Sequence, residues 1–167
     1  IDGPAGVGKT ITAKKLASKL GYQYLDTGAM YRAATYFFIQ HATDITSENQ
    51  VRKMLDILNL ELDFTSNDSI TILLDGKDIS LLIRSKAVTD AVSKVSALKS
   101  VREKMVKIQK DTTKNGNFIV EGRDIGTVVF PDTKYKFFLV ADYDTRAKRR
   151  FKDFKILNEE INVNKIK

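Results

Sequence analysis

Residues 3–10 read Gly-Pro-Ala-Gly-Val-Gly-Lys-Thr, and no other stretch limits the possible folds so tightly. The run satisfies G-x-x-x-x-G-K-[ST] at Gly3, Gly8, Lys9 and Thr10. Its glycines let successive backbone N–H groups point inward around phosphate oxygens, and the helix that follows presents its positive N-terminal end. In such a loop Gly3, Pro4, Ala5, Gly6, Val7, Gly8, Lys9 and Thr10 wrap the nucleotide phosphates. Lys9 reaches the β- and γ-phosphates, and the Thr10 hydroxyl sits on Mg²⁺, partly through water. A plain glycine turn capping a helix is the bland alternative. Context decides against it, because the motif needs a strand before it and a helix after it. Ile1-Asp2 reads as the stub of a hydrophobic strand, which creates the expectation that the sequence starts inside a longer protein. Gly8 to Leu20 reads as a helix, with Ala13, Leu16, Ala17 and Leu20 on one stripe and Gly21 as its stop.

The next segments extend the pattern. Tyr22 to Leu25 is a short strand, Asp26-Thr27-Gly28 a turn, and Ala29 to Gln40 a second helix. Strand, loop and helix repeated in this way predict an α/β chain, a parallel sheet flanked by helices. Glu61 to Phe64, Ile70 to Leu74 and Lys77 to Ile79 then form short strand-like runs, separated by Ser66-Asn67-Asp68-Ser69 and Asp75-Gly76. That is an antiparallel meander inside a parallel chain. It divides the molecule into a core of residues 1–60 and 98–167 and an inserted lobe of residues 61–97, the lobe continuing as helices to about Ala97. Leu98, Val101, Met105 and Ile108 restore helical spacing. Phe118 to Glu121 and Tyr135 to Ala141 are apolar runs suited to buried parallel strands. A basic helix begins near Asp144, and Asn158 to Lys167 reads as a weaker one.

Composition removes several chemistries. The 167 residues contain no cysteine, which excludes disulfides, thiolate metal sites and cysteine nucleophiles. No run approaches the roughly 18 apolar residues of a membrane span, and no signal peptide is visible, so a cytoplasmic protein without a membrane partner is expected. The net charge is +7. Residues 134–167 concentrate it, with ten Lys/Arg against five Asp/Glu. An anionic partner, nucleotide or nucleic acid, suits that balance as well as a solvated basic face does. The lone His41 follows an apolar helix end and receives no role.

The glycine loop alone does not say what accepts the phosphate. A GTPase would carry a guanine-reading N-K-x-D, which is absent. A motor ATPase would end an apolar strand in Asp, and Phe118 to Glu121 passes for that feature. It runs directly into Gly122-Arg123-Asp124, however, where an arginine suits a second phosphate. Asp26-Thr27-Gly28-Ala29-Met30-Tyr31-Arg32 follows the second strand, at the strand ends where open α/β sheets bind ligands. Val92-Ser93-Lys94-Val95 leads to Val101-Arg102. Glu121-Gly122-Arg123-Asp124-Ile125-Gly126-Thr127-Val128-Val129-Phe130-Pro131 leaves the third strand.

These pieces, in this order from Asp2 to about Arg150, resemble the bacterial cytidylate kinase family: D-G-P-x-G-x-G-K, L-D-[ST]-G-x-x-Y-R, V-[AS]-x…V-R and G-R-D-x-G-T-V-V-x-P. The resemblance implies a P-loop kinase fold with a nucleoside-monophosphate lobe enlarged by a small antiparallel sheet, which accommodates the meander. It implies a monomeric transferase of pyrimidine metabolism that binds ATP with Mg²⁺ and phosphorylates CMP and dCMP, with no stable nucleic-acid partner. Arg32 and Arg123 would hold the acceptor's α-phosphate, which makes Lys9 and Arg123 the catalytic cations. Arg102 and Asp124 would read cytosine with help from Thr27, and Ser93 would lie near the sugar. The base chemistry agrees, since the cytosine N4 amino group wants a carboxylate and its N3 and O2 acceptors want an arginine. Bland duties remain open beside these: Thr27 as a helix cap, Ser93 on a helix surface, Asp124 as a brace for Arg123. Two departures stand out. Glu121 occupies a position where the family commonly has Asp, and the family's lid arginines are not among these residues, although Arg146, Arg149 and Arg150 open the helix leading there and Arg149 and Arg150 are candidates to reach ATP. A kinase for UMP, AMP or shikimate, a basic ATPase acting on nucleic acid, and a non-catalytic nucleotide-binding module are the competing readings.

Overall fold

The computed structural model describes residues 1–64, 70–149 and 151. The sheet at its centre is parallel. β1 (Gln23–Asp26) pairs with β5 (Phe118–Glu121), Gln23 opposite Phe118 and Asp26 opposite Glu121. Ile1 continues the sheet beyond β5: its amino group donates to the Val120 carbonyl at 2.7 Å, and Gly122 N–H donates to the Ile1 carbonyl at 3.0 Å. Asp2 in turn bridges Phe138 in parallel, bonding Phe137 and Leu139 at 2.8 Å each. The order is therefore β1, β5, residues 1–2, residues 137–139. Every carboxyl end points the same way, so the loops after Asp2, Asp26 and Glu121 collect at one rim.

Helices cover this sheet. α1 (Lys9–Leu20) buries Ala13 and Ala17 with Tyr24, while Lys19 and the αL residue Gly21 close its C-terminus. α2 (Thr27–Gln40) is apolar on most sides because it is enclosed: Met30, Ala33, Ala34, Phe37 and Phe38 lie within the main core. A helix this apolar must be buried all round. α3 (Glu48–Ile57) was not anticipated from the sequence, although Val51, Leu55 and Leu58 hold helical spacing and Ser47 caps it by accepting from Gln50 N–H. α4 (Lys86–Ala97) and α5 (Lys99–Thr113) complete the layer over α2.

The meander is present as an antiparallel sheet of β2 (Leu60–Asp63), β3 (Thr71–Leu74) and β4 (Lys77–Asp78), with Leu60 opposite Leu74 and Leu73 opposite Asp78. Ile72 and Leu74 sit in one continuous core with Leu25 and Phe37. Asp75 and Gly76, both at positive φ (50° and 74°), make the hairpin turn. The expected turn at residues 66–69 lies outside the described residues, as do Arg150 and the expected helix at 158–167.

One expectation fails. Tyr135 to Ala141 is not a buried strand. Only Phe138 makes a sheet bridge, and Tyr135, Phe138 and Val140 are 72%, 66% and 76% exposed. An apolar run is buried only where something packs on it, and among the described residues nothing covers this edge.

Candidate active site

The phosphate loop takes the conformation its glycines permit. Gly3, Gly6 and Gly8 have φ of 147°, 79° and 100°, values that side-chain-bearing residues rarely adopt. Gly8 precedes α1 without any side-chain cap, and the first turn of α1 carries no acidic residue. The helix end is thus open to an anion. Lys9 curls back over the loop, donating to the carbonyls of Gly3 at 2.8 Å and Pro4 at 2.9 Å. From outside, Arg146 Nε donates to the Ala5 carbonyl at 3.0 Å and Arg149 to that of Gly6 at 3.2 Å. Residues 143–149 are helical, with Asp142 capping them through Thr145 N–H at 2.8 Å.

The charges of three carboxylates reach Lys9. Burial lowers the Lys9 ammonium pKa, Arg123 adds to that, and Glu121, Asp26 and Asp2 oppose it. Glu121 is 3% exposed, and Tyr24 donates its phenol proton to it. Burial raises the Glu121 carboxyl above its ordinary value, the Asp26 charge adds to this, and Tyr24, Thr10 and Lys9 pull it back. Burial likewise pushes the Tyr24 phenol far up. Glu121 is thus paired with a tyrosine from the neighbouring strand. Thr10 is exposed at the start of α1, within hydrogen-bonding reach of Tyr24 and Glu121. Among the described residues no group of three acidic or imidazole side chains could enclose a metal.

Arg123 is exposed and its charge acts on Lys9. Its neighbour Asp124 forms an ion pair with Arg102 of α5, and the hydrogen bond raises the Arg102 pKa still further. Tyr31 lies beside that pair, its phenol raised mainly by burial, then lowered by Arg102 and raised by Asp124. Gly122 has no room for a β-carbon: Ile125 and the Thr27 hydroxyl would both be within 2.7 Å of it. A larger residue here would have to displace the Ile125 and Thr27 side chains.

Thr27, Arg102, Arg123 and Asp124 thus gather around the strand ends, whereas the other two acceptor candidates lie on or against α4. Thr27 is buried and donates to the Glu121 carbonyl at 2.8 Å. It is not the cap of α2, because Asp26 holds that position and accepts from Ala29 N–H at 3.1 Å. Arg32 donates to the Thr89 hydroxyl at 3.1 Å, tying α2 to α4. Ser93 is exposed on α4. Sequence reasoning missed Asp2, Tyr24 and Tyr31 as site residues. Asp2 and Tyr31 stood inside quoted motifs, but Tyr24 had no signal beyond its place in a short strand.

Comparison with known proteins decides the family. The sequence profile described as cytidylate kinase matches residues 1–167. A cytidylate kinase of Lactobacillus gasseri is 46% identical over 154 residues, covering 92% of this chain and 66% of that protein. One from Streptococcus mutans is 44% identical over 171 residues, covering 96% of this chain and 75% of its own. A bifunctional pantoate ligase/cytidylate kinase of Prochlorococcus marinus is 48% identical over 155 residues, 93% of this chain but 30% of that protein.

The chain belongs to the cytidylate kinase family.

It spans about two thirds of the Lactobacillus relative and under a third of the bifunctional one. In this cytidylate kinase family member, no helix among the described residues is long and apolar enough to cross a membrane.

Proposed function

We propose that the protein transfers the γ-phosphate of ATP to CMP and dCMP in the cytoplasm, working as a monomer. One observation carries the reading: Asp124, ion-paired with Arg102, directly follows Arg123, an exposed cation just past the end of β5 at the same rim as the phosphate loop. A phosphate-sized cation and a polar pair able to meet a base therefore lie side by side in the chain. Gly3 to Thr10 bind the ATP phosphates, and Lys9 neutralises charge on the transferred group. Arg123 holds the acceptor α-phosphate with Arg32, which must exchange Thr89 for phosphate oxygens. A guanidinium can grip a phosphate with two hydrogen bonds. Asp124 accepts from the cytosine N4 amino group and Arg102 donates to N3 and O2, while Thr27 backs the base and Ser93 approaches the sugar. Residues 61–97 act as the acceptor lobe and close over it.

Mg²⁺ fits the donor set. It takes oxygen ligands, keeps several waters and is usually held by one or two protein groups plus substrate phosphates, so the Thr10 hydroxyl suffices without a protein cage. When bound, it neutralises charge between the β- and γ-phosphates. The remaining work is positioning, charge stabilisation and exclusion of water, and no covalent enzyme intermediate is required.

The test is ATP turnover by the purified protein with CMP, dCMP, UMP, AMP, shikimate, a polynucleotide or no acceptor. Rapid turnover with CMP and dCMP alone is expected. Stimulation by polynucleotide, or equal rates with UMP and AMP, refutes the proposal.

A further inference from the structure

We propose that Asp2 is a positioning residue for recognition of the acceptor base, capping the turn that Asp124 would otherwise cap and so freeing Asp124 to face Arg102. The proposal rests on the reading that the Arg102–Asp124 pair faces the base.

The turn at Ile125–Val129 is a single π-helical turn preceded by Asp124. Aspartate in that position ordinarily accepts from a backbone N–H two or three residues on. Asp124 makes no such bond, because its carboxylate is paired with Arg102. The open N–H groups still need an acceptor, since buried donors are rarely left unpaired. Asp2 supplies it from 123 residues away. One carboxylate oxygen accepts from Ile125 N–H at 2.7 Å, the other from Gly126 N–H at 2.8 Å. Both are charge-assisted, and Asp2 is 8% exposed, so water competes little for them.

Asp2 itself cannot drift. Its backbone is held in the sheet by Phe137 and Leu139, and the next residue, Gly3, opens the phosphate loop. The fit on the other side is close as well. A β-carbon at Gly126 would stand 3.3 Å from Asp2 Oδ2 and 3.2 Å from the Lys136 side chain. Gly126 N–H is also the donor that Asp124 would reach as an ordinary cap. If the Asp2 carboxylate is lost, Asp124 gains a reason to fold back onto the turn and leave Arg102. A residue at the root of the donor loop thereby sets the geometry of base selection.

The experiment compares wild type with Asp2→Asn, Asp124→Asn and the double variant, measuring KM for ATP and kcat/KM for CMP and UMP, with Tm as a check on folding. Asparagine keeps the shape but turns an NH₂ toward one of the two N–H donors. Asp2→Asn is expected to raise the CMP KM about tenfold, the scale of one hydrogen bond to a charged group, and to narrow the CMP-to-UMP preference; any change in the ATP KM reports the Asp2 charge that reaches Lys9 and does not bear on that preference. In the Asp124→Asn background the same change should leave the preference where it is. Gly126→Ala, which crowds Asp2 without altering it, should give the same signature and serves if Asp2→Asn does not fold. An unchanged CMP-to-UMP preference in Asp2→Asn or Gly126→Ala overturns the proposal. Wild type without any preference for CMP overturns the functional reading itself, which separates the two failures.

Discussion

At the scale of single residues, the site divides by what each charge faces. Lys9 donates to the Gly3 and Pro4 carbonyls of the phosphate loop, and on the proposed reading its charge serves the donor side. Lys9→Ala should cost at least about a hundredfold in kcat, the scale of losing one preorganised charge at the transferred group, with little change in the circular dichroism spectrum. Retention of more than a tenth of the rate would remove Lys9 from the chemistry. Arg123 is exposed beside it, and Arg123→Ala should raise the CMP KM much more than the ATP KM. Equal increases would place it outside the acceptor pocket. On the proposed reading Asp124 meets the base. Cytosine offers a donor at N4, whereas uracil offers an acceptor there, so an ionised Asp124 repels UMP as well as attracting CMP. Asp124→Asn can turn its NH₂ toward O4, and the CMP-to-UMP preference should narrow by about tenfold to a hundredfold, the worth of a bidentate base contact. A fall in activity with the preference intact would reduce Asp124 to a brace for Arg102, not for Arg123.

At the scale of elements, legibility tracks how local the cause is. The glycine loop, α1 and β5 were readable because their residues carry their own conformational rules: positive-φ glycines, a single apolar stripe and a run of four apolar or carboxyl-ended residues. The meander was readable from Asp75-Gly76 and alternating runs. Tyr135 to Ala141 was misread because hydrophobicity reports a capacity for burial, while burial itself depends on a partner elsewhere in the fold. The same limit applied to the site. Arg123 and Asp124 announce themselves in a motif, but Asp2 acts on a turn 123 residues distant, and Tyr24 matters only because β1 lies against β5. No spacing rule carries such pairings. α3 shows the opposite failure, a readable element passed over: Ser47 before a stripe of Val51, Leu55 and Leu58 is an ordinary helix start. Ser47→Ala should therefore lower stability by about 1 kcal/mol, read as a shift in the urea midpoint, and leave kcat/KM for CMP untouched. An unshifted midpoint would mean that packing of Val51 and Leu55 holds α3 without its cap.

At the scale of the whole molecule, a chain of net charge +7 buries the carboxylate of Glu121 at the end of its central strand β5. This arrangement costs stability in a way that pH reveals. The Glu121 carboxyl is raised above its ordinary 4.5, first by burial and then by Asp26. Below pH 4.5 it is protonated in both folded and unfolded chains and contributes nothing to the difference. As pH rises through the window from 4.5 to its raised value, the unfolded chain releases its proton first. The folded state then binds more protons than the unfolded, so stability falls across that window and the penalty persists above it. Glu121→Gln keeps an oxygen to accept the Tyr24 proton and removes the charge. Carboxylates remote from Glu121, and the general repulsion of a basic protein in acid, are common to both proteins and largely cancel in their difference, leaving Glu121 with the groups coupled to it, Asp26 and Lys9. The Tm of Glu121→Gln minus that of wild type should therefore be smallest near pH 4.5 and grow toward pH 7.5. Thermal melts at four or five pH values across that range, without nucleotide, measure it. A difference that stays flat or shrinks with pH would mean that Lys9 and the Tyr24 phenol fully compensate the buried charge, and that the floor of the phosphate loop is electrostatically balanced before any ligand arrives.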